Sequence, residues 1–89
     1  MTLTIKKAPA LQNMGNWITG EVKTEDGTTY TFAAKVFDEG SIYGINEGRI
    51  SKLEIRRDKT FLLNYDRGWD IKPSKEVRPV YKRILAEFN

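Results

Sequence analysis

Asp66 and Asp70, two carboxylic acids four residues apart, are the side chains whose type and spacing could support acid–base catalysis. Such a pair must lie in a cleft where the two environments differ in polarity, so that one carboxyl keeps its proton while the other is ionised. No other residues support this chemistry, because the chain has no histidine to act as a general base and no cysteine to act as a nucleophile or metal ligand. We therefore expect a protein that is not an enzyme and that uses no cofactor or metal ion.

Arg67 and Trp69 lie between these two carboxyls and allow two interpretations. In a binding role, the guanidinium would grip an anion and the indole would give a flat anchoring surface. In a structural role, Gly68 would permit a tight turn and Trp69 would plug the end of the core. The structural role is favoured, because so small a domain needs its aromatic side chains for packing.

Residues 40–48 contain three glycines, which is the composition of a phosphate-binding loop. They lack the Lys-Ser/Thr ending and the helix that follow such a loop, and they do not match a dinucleotide fingerprint. We interpret them as an irregular loop between strands. Tyr43 in this loop is either exposed for binding or folded back onto the edge of the sheet, and both alternatives stay open.

The elements that must position these loops follow from hydrophobic periodicity. Alternation of apolar and polar residues predicts strands over 16–24, 28–37, 49–57 and 60–65, with a short extended piece at 41–45. A three-residue loop, 25–27, sets Val22 opposite Tyr30 and Gly20 opposite Phe32, and it places Gly27 in the left-handed bulge position of the turn. In the later strands the residues predicted to face inward are Ser51, Leu53, Ile55, Phe61, Leu63 and Tyr65, and Ile50 is predicted to face outward.

Apolar residues then recur at helical spacing, from Val77 to Phe88, which predicts a C-terminal helix that covers the sheet. It begins either at Ser74 or nearer Arg78, with Pro79 in its first turn. The predicted fold is α+β, an antiparallel β-meander of four to five strands packed against one C-terminal α-helix. Residues 1–89 form a single domain, in which 1–15 are an edge strand or partly disordered, 16–72 the meander and 74–88 the helix.

The charge is distributed unevenly along the chain. Residues 1–48 carry four lysines against six acidic residues, whereas residues 49–89 carry eleven basic residues against six acidic ones. A basic half makes an anionic partner such as nucleic acid worth considering. Two surfaces are candidates for binding such a partner. One is formed by the outward cations of the sheet, Lys23, Lys35, Lys52 and Arg56, and the other by one flank of the helix, with Lys75, Arg78 and Lys82. A solvated face with cations paired to Glu21 and Glu54 is favoured over both.

The cellular compartment is predicted from the presence or absence of targeting and membrane-spanning segments. The N-terminal residues contain no apolar run of roughly 7–15 residues of the kind found in secretory signals. No apolar stretch approaches the roughly 20 residues that cross a bilayer as a helix. We expect a cytoplasmic protein without a membrane partner.

Four short motifs carry a resemblance to a known group of proteins. They are KVFDEGS at 35–41, YGI at 43–45, GRISKL at 48–53 and YDRGWD at 65–70. In this combination the chain resembles a family of short uncharacterised proteins from Gram-positive bacteria, their phages and mobile elements, over the stretch from about Trp17 to the helix. The resemblance implies an origin, and it implies no activity, ligand or residue role.

These observations predict an accessory protein that binds a macromolecular partner through the 38–48 and 65–72 loops and the adjoining face of the sheet. Protein is the favoured partner, and nucleic acid bound by the basic half is the alternative. A homodimer formed through a sheet edge or through Trp17 is compatible with either. The predicted binding residues are Tyr43, Arg49, Lys52, Arg67, Trp69 and Asp70.

Overall fold

The computed structural model describes residues 1–7 and 16–89, and these residues form an antiparallel sheet of six strands with one α-helix. The strands are β1 (Thr2–Lys7), β2 (Asn16–Lys23), β3 (Thr29–Val36), β4 (Ile50–Arg57), β5 (Thr60–Asp66) and β6 (Trp69–Ile71). A single turn of 3-10 helix spans Ile45–Glu47, and α1 spans Arg78–Phe88. The α+β class is confirmed. The predicted range of 1–15 is described only over residues 1–7, which hold the edge strand, and the rest of it lies outside the described residues.

The strands lie in the sheet in the order in which they occur in the chain, as in a meander. The prediction of four to five strands is wrong, because β6 lies within the predicted 65–72 loop. Its three residues return along β5 after a tight turn, with Trp69 opposite Tyr65. A strand of three residues is too short to show the period-two pattern from which strands are predicted.

The hairpin of β2 and β3 has the predicted register. Val22 lies opposite Tyr30 and Gly20 opposite Phe32. Gly27 has φ 89°, which is the left-handed conformation expected of the bulge residue in a three-residue loop. The inward side chains of both strands therefore meet on the same face of the sheet.

The alternation of faces is reversed at the start of β4 by a bulge. Lys35 pairs with Lys52 but Val36 pairs with Ile50, so Ser51 is an extra residue on its strand. Ile50 is consequently fully buried, and its predicted outward position was wrong.

A second bulge has the same effect at the start of β5. Ile55 pairs with Leu63 but Arg56 pairs with Phe61, so Leu62 is the extra residue. Phe61 therefore faces outward, is 45% exposed and lies under the Arg56 guanidinium, 5.2 Å from the ring centroid. Its predicted inward position was wrong, because an extra residue turns every side chain beyond it to the other face.

The core lies between one face of the sheet and α1. Val80, Ile84 and Phe88 of the helix are buried against it, and the Phe88 ring is 6.0 Å from that of Phe32. The helix begins at Arg78, the later of the two predicted starts and four residues after the 74 of the predicted range 74–88, with Pro79 in its first turn, where a missing N–H leaves no hydrogen bond unmade. Residues 75–77 form a turn that leads into it. No helix among the described residues has the length and apolar character to span a membrane.

The segment that joins β3 to β4, here called the 37–49 loop, is packed against itself. Residues 41–45 were predicted to be extended, but they form a turn that leads into the 3-10 helix. A Cβ placed on Gly44 would overlap the backbone carbonyl of Gly48. Glycine at position 44 is therefore required by this close approach of two backbone segments and not by its own φ of −78°.

The side chain of Asn89 fixes the 37–49 loop to the end of the helix. Its Nδ2 donates to the carbonyl oxygen of Ile45 at 3.0 Å, and its Oδ1 accepts from the N–H of Ile50 at 3.0 Å. One amide group thus satisfies a carbonyl of the loop and an N–H at the start of β4, both of which would otherwise be costly to bury.

Candidate partner-binding cleft

A cleft of about 610 Å³ opens at the end of the sheet where β3 and β5 finish. Its floor comes from the strands, with Lys35, Ser51 and Lys52. One wall comes from the 37–49 loop, with Phe37, Asp38, Glu39, Ser41 and Tyr43, and Arg67 lines it from the turn between β5 and β6. The cleft is thus bordered by residues of both loops that were predicted from the sequence as a binding region.

Two lysines lie directly opposite each other at the floor of this cleft. Lys35 and Lys52 are register partners on neighbouring strands, and both are half-buried. Like charges in this relation repel and destabilise a sheet. Lys52 Nζ is 3.7 Å from Asp66 Oδ1, whereas Lys35 Nζ lies 5.6 Å from the centroid of the Phe37 ring and has no carboxylate within 4.0 Å among the described residues. The eight residues outside the description contain no Asp or Glu either.

Arg67 is held at the rim of the cleft by an unusual backbone conformation. Its φ is 56°, in the left-handed region, which costs a residue with a side chain roughly 1–2 kcal/mol. The N–H of Arg67 donates to the carbonyl of Ser51 at 2.9 Å, and its Nε lies 3.6 Å from Asp66 Oδ1. Gly68 was predicted to permit this turn, but the residue in the left-handed region is Arg67. The chain therefore has an arginine at a position where glycine would have less backbone strain.

Replacing Arg67 with glycine should raise the free energy of unfolding by about 0.5–1 kcal/mol, because the strain disappears and only an exposed ion pair is lost. Urea denaturation followed by tryptophan fluorescence measures this. Arg49→Gly is the matched control, since Arg49 is also an exposed arginine but its φ is not left-handed. There the same substitution should lower stability by about 0.5–1 kcal/mol through the added freedom of the unfolded chain. Destabilisation by Arg67→Gly would contradict the strain argument.

Tyr43 has a fixed backbone and an exposed side chain. Its carbonyl accepts a hydrogen bond from the buried Tyr65 hydroxyl at 2.8 Å, and its N–H donates to Ser41 Oγ at 3.2 Å. Tyr43 as a whole is 55% exposed, and the neighbouring Ile42 is 77% exposed. Of the two alternatives left open by the sequence, the structure has the exposed one.

Trp69 lies outside the lining of the cleft and packs against two tyrosine rings. Its ring packs edge-on against Tyr65, with centroids 5.0 Å apart, and against Tyr81, at 5.6 Å. Burial raises the pKa of the Tyr81 hydroxyl, and the nearby Tyr65 contributes in the same direction. The indole therefore extends the aromatic packing of the core, although it is still 36% exposed.

The six predicted binding residues are thus divided by the structure. Tyr43, Lys52 and Arg67 share the cleft, whereas Trp69 packs on the aromatic core, and the exposed residues Arg49 and Asp70 are outside the lining. The cleft residues absent from the predicted set are Lys35, Phe37, Asp38, Glu39, Ser41 and Ser51. One signal in the sequence could have added Lys35 to the predicted set. This lysine faces outward near the end of its strand, just before the turn at Asp38.

The two carboxyls with the spacing of an acid–base pair lie at the surface. Asp66 and Asp70 are both exposed, and Asp66 lies between the cations of Lys52 and Arg67. In the part of the chain that the structure describes, no three carboxylates lie close enough together to ligate a metal ion.

Comparison with curated proteins and with solved structures gave no match. A family model described as a domain of unknown function (DUF7678) matches residues 16–89. The matched stretch runs from the first residue of β2 to the end of α1, so it includes the whole cleft and leaves out β1. The chain therefore belongs to the DUF7678 family.

Proposed function

We propose that this protein is a non-enzymatic accessory protein that binds another protein through the cleft between the 37–49 loop and the β5–β6 turn. The observation that carries the proposal is the exposed side chain of Tyr43 on a fixed backbone, beside the cations of Lys52 and Arg67. Aromatic and arginine side chains in this setting are the groups that contribute most to protein–protein binding.

The rigidity of the 37–49 loop supports a binding role. Tyr65 holds the carbonyl of Tyr43, and Asn89 holds that of Ile45, so two hydrogen bonds from outside the loop fix its shape. A surface that is already ordered loses little conformational entropy when a partner arrives, and more of the contact energy then appears as affinity.

Nucleic acid is the less favoured partner because the outward cations are interleaved with carboxylates. Lys52 lies 3.7 Å from Asp66 and Arg56 lies 3.4 Å from Glu54. Binding to a phosphate backbone depends on cations that release counterions, and a cation already paired to a carboxylate contributes less to it. A mixed-charge face is more typical of the rim of a protein interface.

The remaining parts of the proposal concern the origin, the cellular location and the oligomeric state of the protein. We infer an origin in Gram-positive bacteria, their phages or mobile elements from the four short motifs, and we propose a cytoplasmic location. A homodimer through a sheet edge would leave the cleft available, whereas one through Trp17, which is 44% exposed and pairs with Lys35, would lie beside the floor of the cleft.

The test is affinity capture from a lysate of the source organism with the wild type and with Tyr43→Ala/Arg67→Gly, at low and raised salt, with and without nuclease. The double variant should lose at least about tenfold in captured partner while remaining folded, since one of its changes relieves strain. Lys59→Ala/Phe61→Ala is the matched control, because it removes one cation and one exposed ring at the other end of β4.

Three outcomes decide the proposal. A protein that resists nuclease and raised salt, and that only the cleft variant loses, supports it. Equal capture by the wild type and the cleft variant overturns this placement of the site. Recovery of nucleic acid that disappears at raised salt overturns the protein partner and favours the basic surface.

A further inference from the structure

We infer that the cleft recognises an acidic side chain of the partner protein, with its carboxylate seated between Lys35 and Lys52 and an adjacent apolar side chain on the rings of Phe37 and Tyr43. This inference rests on the proposed function and specifies the chemistry of the partner. Four observations lead to it, namely the opposed lysines, the shared carboxylate, the acidic rim and the two rings.

The opposed lysines are the first step. Lys35 and Lys52 repel each other across the ladder, and the described part of the chain supplies no carboxylate within 4.0 Å of Lys35. An anion placed between them would replace one repulsion with two charge-assisted hydrogen bonds. Both side chains are half-buried, so these bonds would be screened less by solvent than bonds made at a fully exposed surface.

The shared carboxylate is the second step. Asp66 Oδ1 lies 3.7 Å from Lys52 Nζ and 3.6 Å from Arg67 Nε, so this one internal carboxylate serves two of the three cations of the cleft. Both separations exceed those of a good charge-assisted hydrogen bond, which are about 2.7–2.9 Å. The cleft therefore retains donor capacity for a further carboxylate.

The acidic rim favours a protein carboxylate over a phosphate chain. Asp38 and Glu39 line the same cleft, and they are exposed. Counted with Asp66, three carboxylates balance the three cations, so an added carboxylate is favoured only at Lys35, which has none within 4.0 Å, and the successive charges of a nucleic acid backbone would be repelled. A protein segment can place one acidic residue at the lysines and a neutral or basic residue at Asp38 and Glu39.

The two aromatic rings define what lies next to that carboxylate. Phe37 is half-buried and Tyr43 is exposed, and both line the cleft. A volume of about 610 Å³ lies within the range of roughly 300–1,000 Å³ that is typical of ligand pockets. A short segment with an acidic residue beside an apolar one matches both the charge and the ring surfaces.

The experiment is an NMR titration of the ¹⁵N-labelled protein with two blocked tripeptides, acetyl-Leu-Asp-Phe-amide and acetyl-Leu-Asn-Phe-amide. The Asp peptide should shift the backbone amides of Lys35, Phe37, Lys52 and Arg67, and the Asn peptide should bind at least about tenfold more weakly. The variant Lys35→Gln/Lys52→Gln should bind the Asp peptide more weakly than the wild type by a similar factor. Lys23→Gln/Lys59→Gln makes the same change of charge elsewhere and should leave its binding unchanged.

Other results would overturn the inference. They are an equal response to the two peptides, no response in the cleft, or stronger binding of inorganic phosphate or of a ten-residue oligothymidylate there. Thermal unfolding checks that Lys35→Gln/Lys52→Gln is folded, and its stability should be close to that of the wild type, because the removed repulsion offsets the lost contacts of Lys52 with Asp66 and of Lys35 with Phe37.

The same variants separate this inference from the proposed function. If lysate capture is lost in Tyr43→Ala/Arg67→Gly but kept in Lys35→Gln/Lys52→Gln, the cleft binds a protein and the carboxylate inference is wrong. If neither variant changes capture, the cleft is not the binding site and both proposals are wrong.

Discussion

Gly44→Ala should lower the free energy of unfolding by about 3 kcal/mol or more, the upper end of what overpacking costs. The added Cβ would overlap the carbonyl oxygen and carbon of Gly48, which are backbone atoms that no rotamer change can move away. Since Gly44 has φ −78°, alanine can adopt its backbone conformation, and the loss would come from the steric overlap. Urea denaturation followed by tryptophan fluorescence gives the value.

Gly68→Ala is the control for this prediction. A Cβ at Gly68 would have no heavy atom within 4 Å, and its φ is not in the left-handed region. Alanine there should change stability by no more than about 1 kcal/mol, and in the stabilising direction, because it reduces the freedom of the unfolded chain. Similar losses for the two variants would show that the packing of the 37–49 loop does not depend on the close approach at Gly44.

Ile84→Ala should cost about 2–5 kcal/mol, the range for removing a large aliphatic side chain from a core. Ile84 is fully buried at the middle of the apolar face of α1, and α1 is the one α-helix in the described residues that covers the sheet. A domain of this length has a total stability of roughly 5–13 kcal/mol, so the loss is a large part of it. Thermal and urea unfolding would measure the change.

Lys82→Ala tests whether that loss comes from the core or from the helix itself. Lys82 is an exposed residue of the same helix, and alanine has a helix propensity at least as good as that of lysine. Its substitution should change stability by less than about 0.5 kcal/mol. If Ile84→Ala were as mild as Lys82→Ala, the helix would not be the main cover of the core.

The hairpin of β2 and β3 could be predicted from the sequence because its signals are local. Apolar matching of Val22 with Tyr30 selects a three-residue loop over a two-residue one. Gly27 agrees with that choice, because the longer loop needs a left-handed residue at its end. Two independent local signals gave the same register, so this part of the fold needed no information from distant residues.

The faces of β4 and β5 could not be predicted in the same way. The bulges at Ser51 and Leu62 depend on the register in which each strand pairs with its neighbour. Neither serine nor leucine is a residue type that marks a bulge. Ile50 and Phe61 were assigned to the wrong faces for this reason. Strict alternation is a property of a single strand, whereas the bulge is a property of a pair.

The site shows the same division between local and non-local information. The 37–49 loop and the β5–β6 turn could be expected to meet, because the loops that follow β3 and β5 lie at the same end of an antiparallel sheet. The opposition of Lys35 and Lys52 needed the register of the bulged pair. The left-handed backbone of Arg67 needed the structure itself, since the adjacent Gly68 is the residue that sequence preferences would select.

The hydrogen bonds of Asn89 also link the cleft to the order in which the molecule assembles. Each sheet pairing joins consecutive segments of chain, whereas the bond from Asn89 to Ile45 spans 44 residues and forms when α1 docks. Local unfolding of α1 would therefore release the 37–49 loop as well. A partner that binds the ordered loop consequently stabilises the docked helix as well. The helix contributes no side chain to the cleft, yet amide hydrogen exchange in α1 should become slower when the cleft is occupied.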